Sequence, residues 1–407
     1  MKKHMVRNVL SVSLILLLSS PLLVHAAQTL KIGVLLPLTG PLAPIGQYCW
    51  TAKVIAQDEI NEAGGIKSLG GAKIELIKAD TEGKPEVAIG QTEKLMRQGI
   101  VALLGAYQSN VTYAACAIAE KYKMPFITGI SVADNITERG FKYVFRTNVT
   151  ATTLGEDIYR NIQLLEKKSG KKTETTAVIS ENTLFGKSQT EGVEKAAKKF
   201  GYKNLASVLY PSGTSDITAE ILKLKNYNPD ILIGISYISD AILIVRTMAE
   251  HKFNVKGLLG VSGGYGEPEF VRTLGKLAEF TFCTGNWQDD IKKPHVKEVA
   301  ARHMQKFNTP MSPQGACTYT AVYVLKDALE RAASTNGEKL REAIAKTNMK
   351  DNDIIMPYDG VRFNEKGDNI QAHQTLMQIL GGKYRTVIPK EYASTDPVFP
   401  IPKWEQR

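Results

Sequence analysis

Short apolar runs alternate with amphipathic stretches along most of this chain. From Leu30 to Pro37 the sequence is nearly all apolar, which predicts a strand buried on both faces. Gly46 to Ala63 reads as a helix, and Gly64-Gly65 closes it. The same alternation predicts strands over 73–78, 101–104 and 125–130, with helices over 84–98 and 111–122. After a connecting stretch, 141–147, the pattern restarts. Helices are predicted over 151–167, 187–200, 215–225 and 240–252, and strands over 175–180, 205–210, 230–235 and 256–261. Strands alternating with helices of this length predict parallel sheets covered on both faces. The expected fold class is therefore α/β, as two Rossmann-like, doubly wound lobes. One further strand (280–284), helices over 296–307, 318–333 and 338–346, and a β-rich, Pro-containing tail are too little for a third domain. They are expected to return and complete the two sheets, so the chain crosses between lobes more than once.

The N-terminus changes the picture of where this fold works. Lys2, Lys3 and Arg7 flank an apolar run that begins at Val9, and Val24-His25-Ala26 is a small-residue cleavage pattern. Residues 1–26 are expected to be a signal peptide, placing the mature chain in the periplasm. The run is interrupted by Ser and Pro and is short for a membrane span. No Cys follows the cleavage site, so no lipid anchor is indicated. Cleavage takes three basic residues and lowers the formal net charge from +10 to +7. The remaining Lys and Arg lie singly or in pairs, without a basic block interleaved with aromatics, which argues against nucleic acid as a partner. The four cysteines, Cys49, Cys116, Cys283 and Cys317, lack CxxC spacing, so neither a zinc nor a redox motif is supported. In an oxidising compartment they are expected as disulfides, with three pairings possible. None of the six His sits in HExxH, so no metal and no cofactor is expected.

Candidate chemistry concentrates at strand ends. The stretch KIGVLLPLTGPLAPIGQ, 31–47, has the strand–turn–helix outline of a phosphate loop but lacks its GK[ST] ending. Gly40 and Gly46 also miss the GxGxxG spacing of a dinucleotide site. What remains is a helix N-terminus at the carboxyl edge of a parallel sheet, which suits an anionic group. Two more such edges follow: Gly105-Ala106-Tyr107-Gln108-Ser109-Asn110 and Gly129-Ile130-Ser131-Val132-Ala133-Asp134. Three small-polar turns on one side of one sheet favour a binding site over three unrelated caps. Tyr107, Tyr237 and Trp287 lie at or near strand ends and would supply an apolar wall with polar handles. Gly260-Val261-Ser262-Gly263-Gly264 matches G-x-S-x-G, so a serine hydrolase using Ser262 is the enzymatic alternative. The residues after Ser262 delay the helix that such an elbow requires.

The order and spacing of several short motifs carry a resemblance. They are Pro37-Leu38-Thr39-Gly40 with Gly46, Asn61-Glu62-Ala63-Gly64-Gly65-Ile66, Thr137-Glu138-Arg139-Gly140-Phe141, Phe145-Arg146-Thr147, Phe185-Gly186, and Phe363-Asn364-Glu365-Lys366-Gly367-Asp368. Over residues 28–390 the chain resembles the type I periplasmic solute-binding proteins of ABC transporters, in the Leu/Ile/Val-binding branch. That resemblance implies two Rossmann-like lobes joined by three crossovers and closing on a ligand. The lobes would be 27–148 with about 284–355, and 149–283 with about 356–407. By position, Gln108-Ser109 and Ser131-Val132 look like the turns that hold a ligand carboxylate, and Phe185 and Tyr237 like the second-lobe wall. Ser262 stands where amino-acid binders carry an acidic residue for the ligand ammonium. Glu181 or Asp134 would then replace that acid, or the ligand is an aromatic or aliphatic carboxylate rather than an amino acid. The implied protein is no enzyme but a monomeric importer subunit, partnered by a membrane permease. The opening turn is expected to shape the cleft mouth, and the expected disulfides are Cys49–Cys116 and Cys283–Cys317.

Overall fold

In a computed structural model of the chain, residues 29–407 are described. The signal-peptide expectation for residues 1–26 lies outside the described residues. β1 (Thr29–Leu36) runs parallel to β2 (Lys73–Asp80) in register from Thr29↔Lys73 to Leu36↔Asp80. With β3 (Ala102–Leu104), β4 (Phe126–Thr128) and β5 (Val144–Arg146) they form a five-stranded parallel sheet in the order β2-β1-β3-β4-β5. The connecting helices are α1 (Ala43–Glu62), α2 (Pro85–Arg97) and α3 (Ser109–Lys121). Pro85 starts α2, where its missing N–H costs nothing.

The chain then enters a second lobe. α4 (Ala151–Ser169) starts at a Thr150 cap that accepts from Thr153 N and ends at Gly170 in the left-handed region. β6 (Thr175–Glu181), α5 (Leu184–Phe200), β7 (Lys203–Tyr210), α6 (Thr218–Tyr227), β8 (Ile231–Ile235), α7 (Ile238–Glu250) and β9 (Gly257–Gly260) alternate as expected. α8 (Ser262–Tyr265), α9 (Pro268–Leu274) and β10 (Phe282–Gly285) follow. The lobe is closed by β13 (Thr375–Leu380) and β14 (Lys383–Ile388), which join antiparallel to give the seven-stranded order β14-β13-β10-β9-β8-β6-β7. All five residues of β8 are buried, which is why it reads as an unbroken apolar run.

Between these strands the chain returns to the first lobe through α10 (Val296–Phe307), α11 (Pro313–Ala332) and α12 (Gly337–Ala345). α10 and α11 both pack on α1. A two-stranded ribbon, β11 (Asn348–Lys350) with β12 (Gly360–Arg362), precedes the second return. Two glycines set how closely helix and strand approach at the carboxyl edges. A Cβ on Gly46 would lie 1.9 Å from Pro37 O, and one on Gly186 1.9 Å from Glu181 O.

Two expectations are corrected. Residues 144–146 are the fifth strand of the first sheet, not part of a connector; the strand ends in the buried Arg146, so it does not read as an apolar run. The cysteines are all free and buried. Cys49 and Cys116 belong to separate apolar clusters, Cys49 with α11 and Cys116 with the core beneath α2 and α3, and Cys283 sits on β10 of the other lobe. Neither expected pair is adjacent.

Candidate functional site

The carboxyl ends of the two sheets face each other, and the lobes touch. Tyr107 Oη donates to Gly263 O at 2.8 Å, and Asp134 N donates to Ser188 Oγ at 3.2 Å. Between them lies a small cavity of about 30 Å³. From the first lobe, Tyr107, Ser109, Ser131 and Val132 line it, with Ile130 and Asn148. From the second come Phe185 and Tyr237, with Leu154, Val261 and Gly263. The rings form a continuous wall: Phe185 stacks on Tyr237 at 5.2 Å, and Tyr237 sits 5.7 Å from Tyr107. Burial, then the charge of Glu267, pushes the Tyr107 phenol well above its ordinary pKa, so it stays a neutral donor.

The two first-lobe turns are stitched together by hydroxyls. Ala106 N donates to Thr112 Oγ1 at 3.2 Å, and Thr112 Oγ1 lies 2.5 Å from Ser131 Oγ. Ser131 Oγ in turn reaches Tyr107 O at 3.1 Å and Ala106 O at 3.2 Å. With the Thr112 oxygen already an acceptor, the proton order runs Thr112 to Ser131 to backbone. The Ser131 hydroxyl therefore holds the turns rather than offering a proton to the cavity. Ser109 differs: its Oγ accepts from Ala133 N at 3.4 Å, leaving its own proton available. Ser109 is also the first residue of α3, whose start has no side-chain cap, so first-turn N–H groups face the cavity end.

Gln108 is not brought to the cavity. Its Nε2 donates to Gly83 O at 3.2 Å, and it lines an outer cleft with Thr39, Pro41 and Leu42 of the opening turn. That turn is pinned by Asp80, which accepts from Leu38 N at 2.8 Å and Thr39 Oγ1 at 2.7 Å. Trp287 is fully buried and also absent from the cavity wall. Ser262 opens α8 beside the cavity, and its side chain lies outside the described part of the structure. The replacement acids are spent elsewhere. Glu181 accepts from Ser212 Oγ at 2.7 Å, and Asp134 from Thr152 Oγ1 at 2.6 Å.

Several residues here were not legible as site residues. Asn148, Asn286, Gln314 and Gln374 complete the lining. Asn148, Asn286 and Gln374 each stand where the chain passes between lobes, just after β5, just after β10 and just before β13. Asn148 Oδ1 accepts from Val149 N and Tyr358 Oη, both at 2.8 Å, and Gln374 Nε2 donates to Asn286 Oδ1. The second omission is Glu267, fully buried between α8 and α9, with no hydrogen-bond partner at either oxygen among the described residues. Burial pushes its carboxyl up to about 8.

The sequence profile of the family described as "Periplasmic binding protein" matches residues 29–383. The chain belongs to that family. Its members are solute-binding proteins, and the two facing α/β lobes are the arrangement they share. A curated relative, the Leu/Ile/Val-binding protein homolog 7 of Brucella suis biovar 1 (strain 1330), is 28% identical over 405 residues, covering 97% of this chain and 99% of the relative. Among solved structures, the leucine-binding protein LivK of Thermotoga maritima MSB8 superimposes with a TM-score of 0.77 at 24% identity, covering 88% of this chain and 97% of its own. A solute-binding protein of an ABC transporter from R. palustris, in complex with benzoate, gives 0.76 at 18%, covering 90% and 98%. At these identities the two structures establish a common fold.

Proposed function

We propose that the chain is the periplasmic solute-binding component of an ABC importer, capturing a small carboxylate with an apolar body. The observation that carries this is the composition of the cavity between the lobes. One end offers an uncapped helix start with the Ser109 hydroxyl, and the walls are Val132, Leu154, Phe185 and Tyr237. Backbone N–H groups at a helix start receive a carboxylate, and the aromatic wall receives a ring or a branched chain. No acidic side chain is among the lining residues, which favours an aromatic or aliphatic acid without an ammonium group. The R. palustris relative, solved with benzoate, accords with this.

An α-amino acid is the second reading, and Glu267 favours it. Its unpartnered carboxyl lies on the same side of the cleft as Gly263, and its charge acts on Tyr107 and Tyr48 of the first lobe. Leucine binding in the Thermotoga relative is in keeping with it.

In either case the ligand leaves unchanged. No histidine lines the cavity to serve Ser262 as a base, so capture by lobe closure is favoured over hydrolysis. The closed monomer would dock on a membrane permease after residues 1–26 are removed during export. The lobes were expected as 27–148 with about 284–355 and 149–283 with about 356–407; the pairing of β12 with β11 and the bridge from Arg146 to Asp368 favour moving the last boundary to about 374. A thermal-shift panel of benzoate, 4-methylpentanoate and leucine tests the reading. A true ligand at 100 times its Kd adds about 2.7 kcal/mol, or roughly 5 °C in Tm. No shift with any of the three overturns it.

A further inference from the structure

The cavity presents a carboxylate with a difficulty, because no cationic side chain lines it among the described residues. A carboxylate taken from water into a dry site needs a counter-charge as well as N–H donors. Arg146 lies under the Ser131 turn, but its charge is already matched by Asp368 at 2.8 Å. One cation nearby is unmatched. Lys53, on the third turn of α1, is only 1% exposed, and its Nζ has neither a hydrogen-bond nor an ion-pair partner among the described residues. It lies in a narrow internal space walled by Gly105, Ala106, Gly129 and Ile130, too tight to admit water beside it. Ile130 forms part of both this space and the ligand cavity. Ala106 is followed by Tyr107 and Ile130 by Ser131, so the ammonium stands directly behind the two turns that face the ligand.

An unpaired buried charge weakens a fold, and the first lobe offers this one no counter-charge: Leu36, Leu104, Ile127 and Ala321 are apolar, and the Thr318 hydroxyl is bonded to Cys49 O and Gly315 O. Such a cost persists where a site uses it. The geometry points to Lys53 as a specificity-determining residue that supplies, through the Gly105–Ala106 and Gly129–Ile130 turns, the buried counter-charge for the ligand's carboxylate. The inference rests on the carboxylate reading above. It makes the ligand complete a charge pair whose other half the protein already buries, and it rejects neutral amides of the same shape.

The titrating groups around Lys53 are Cys49 on its own helix and Cys317 on α11. Both thiols are pushed up by burial and stay neutral. Burial lowers the Lys53 ammonium to about 8, so a bound carboxylate should draw a proton onto it in mildly alkaline solution. Glu267 titrates in the same range, so the proton uptake assigned to Lys53 is the difference between the native chain and Lys53→Met, which share Glu267.

Calorimetry would be run with the tightest binder among benzoate, 4-methylpentanoate and leucine, and with its primary amide. At pH 8.5, in buffers of differing ionisation enthalpy, the full-length mature chain should take up part of a proton with the carboxylate and none with the amide. Its carboxylate affinity should fall between pH 7 and 9.5. Lys53→Met keeps the length and removes the charge. It should bind the carboxylate about ten-fold more weakly, bind the amide within about two-fold, and lose the proton uptake. If Lys53→Met fails to fold, the native chain's proton uptake with the carboxylate less that with the amide decides alone. A carboxylate bound without proton uptake, or equally well by Lys53→Met, overturns the role of Lys53. A chain that binds none of the three acids overturns the carboxylate reading, and this inference with it.

Discussion

Arg146 Nε donates to Asp368 Oδ1 at 2.8 Å, joining the end of β5 to a turn 222 residues later. The guanidinium is fully buried and also donates to Ala133 O at 2.8 Å and Thr137 Oγ1 at 2.5 Å. Asp368 accepts from Thr137 Oγ1 at 2.9 Å as well. Three separate sequence motifs are thereby one buried network, and it supports the loop that carries Ser131 and Val132. Asp368→Ala leaves the guanidinium buried without its partner, which costs about 3–5 kcal/mol. Urea unfolding should show a lower midpoint, and an unchanged midpoint would mean that the pair is dispensable.

The bond from Tyr107 Oη to Gly263 O crosses the cleft, so it exists only when the lobes are together. Tyr107→Phe removes it while keeping the ring against Tyr237. Ligand affinity should drop about five-fold, on the order of 1 kcal/mol, mostly through faster release. Stopped-flow dissociation checks this. Lobe contacts contribute little to unfolding, so the ligand-free Tm should hardly move.

Glu267 makes stability depend on pH. Its folded pKa is raised by burial from 4.5 to about 8. Between those values the folded chain keeps a proton that the unfolded chain has released, so the stabilising contribution is whole below about pH 4.5 and lost as pH climbs toward 8. Glu267→Gln cannot titrate. Relative to it, the native chain should lose about 2–4 kcal/mol between pH 5 and 8. Parallel denaturation curves at the two pH values measure the difference, and curves that stay parallel in midpoint would remove Glu267 from this role.

The four free thiols predict a redox-insensitive fold. All are buried, and burial raises each above the ordinary thiol range. A thiol reagent should label none of them in the native chain and all four after unfolding. Reductant should leave Tm unchanged. Protection from reductant-dependent loss of stability is the result to look for, since a fall in Tm on reduction would instead reveal a disulfide.

Much of the architecture was legible because parallel strands buried on both faces are apolar runs, as in β1 and β8. Helices between them announce themselves by period and by Gly or Pro at their ends. β5 was lost since it ends in the buried Arg146, and the thiol pairings failed because Cys49 and Cys116 sit in separate clusters of the first lobe while Cys283 and Cys317 lie in different lobes. Tyr107, Ser109, Ser131, Val132, Phe185 and Tyr237 could be placed at the cleft from local signals, being turn residues at strand ends or part of motifs. Gln108 shares that signal, yet its side chain turns out to the Gly83 carbonyl.

By itself, then, the amino-acid order determined the alternation of strands and helices, the two lobes and the carboxyl edges where a ligand would sit, because burial pattern and helix ends are written locally. Only the tertiary structure decided which polar groups meet there. Asn148, Asn286 and Gln374 come together from three passages between lobes, Glu267 is left without a partner among the described residues, and Lys53 is sealed behind the turns. Burial and the presence or absence of a counter-charge are properties of neighbours distant in sequence, and no local pattern encodes them.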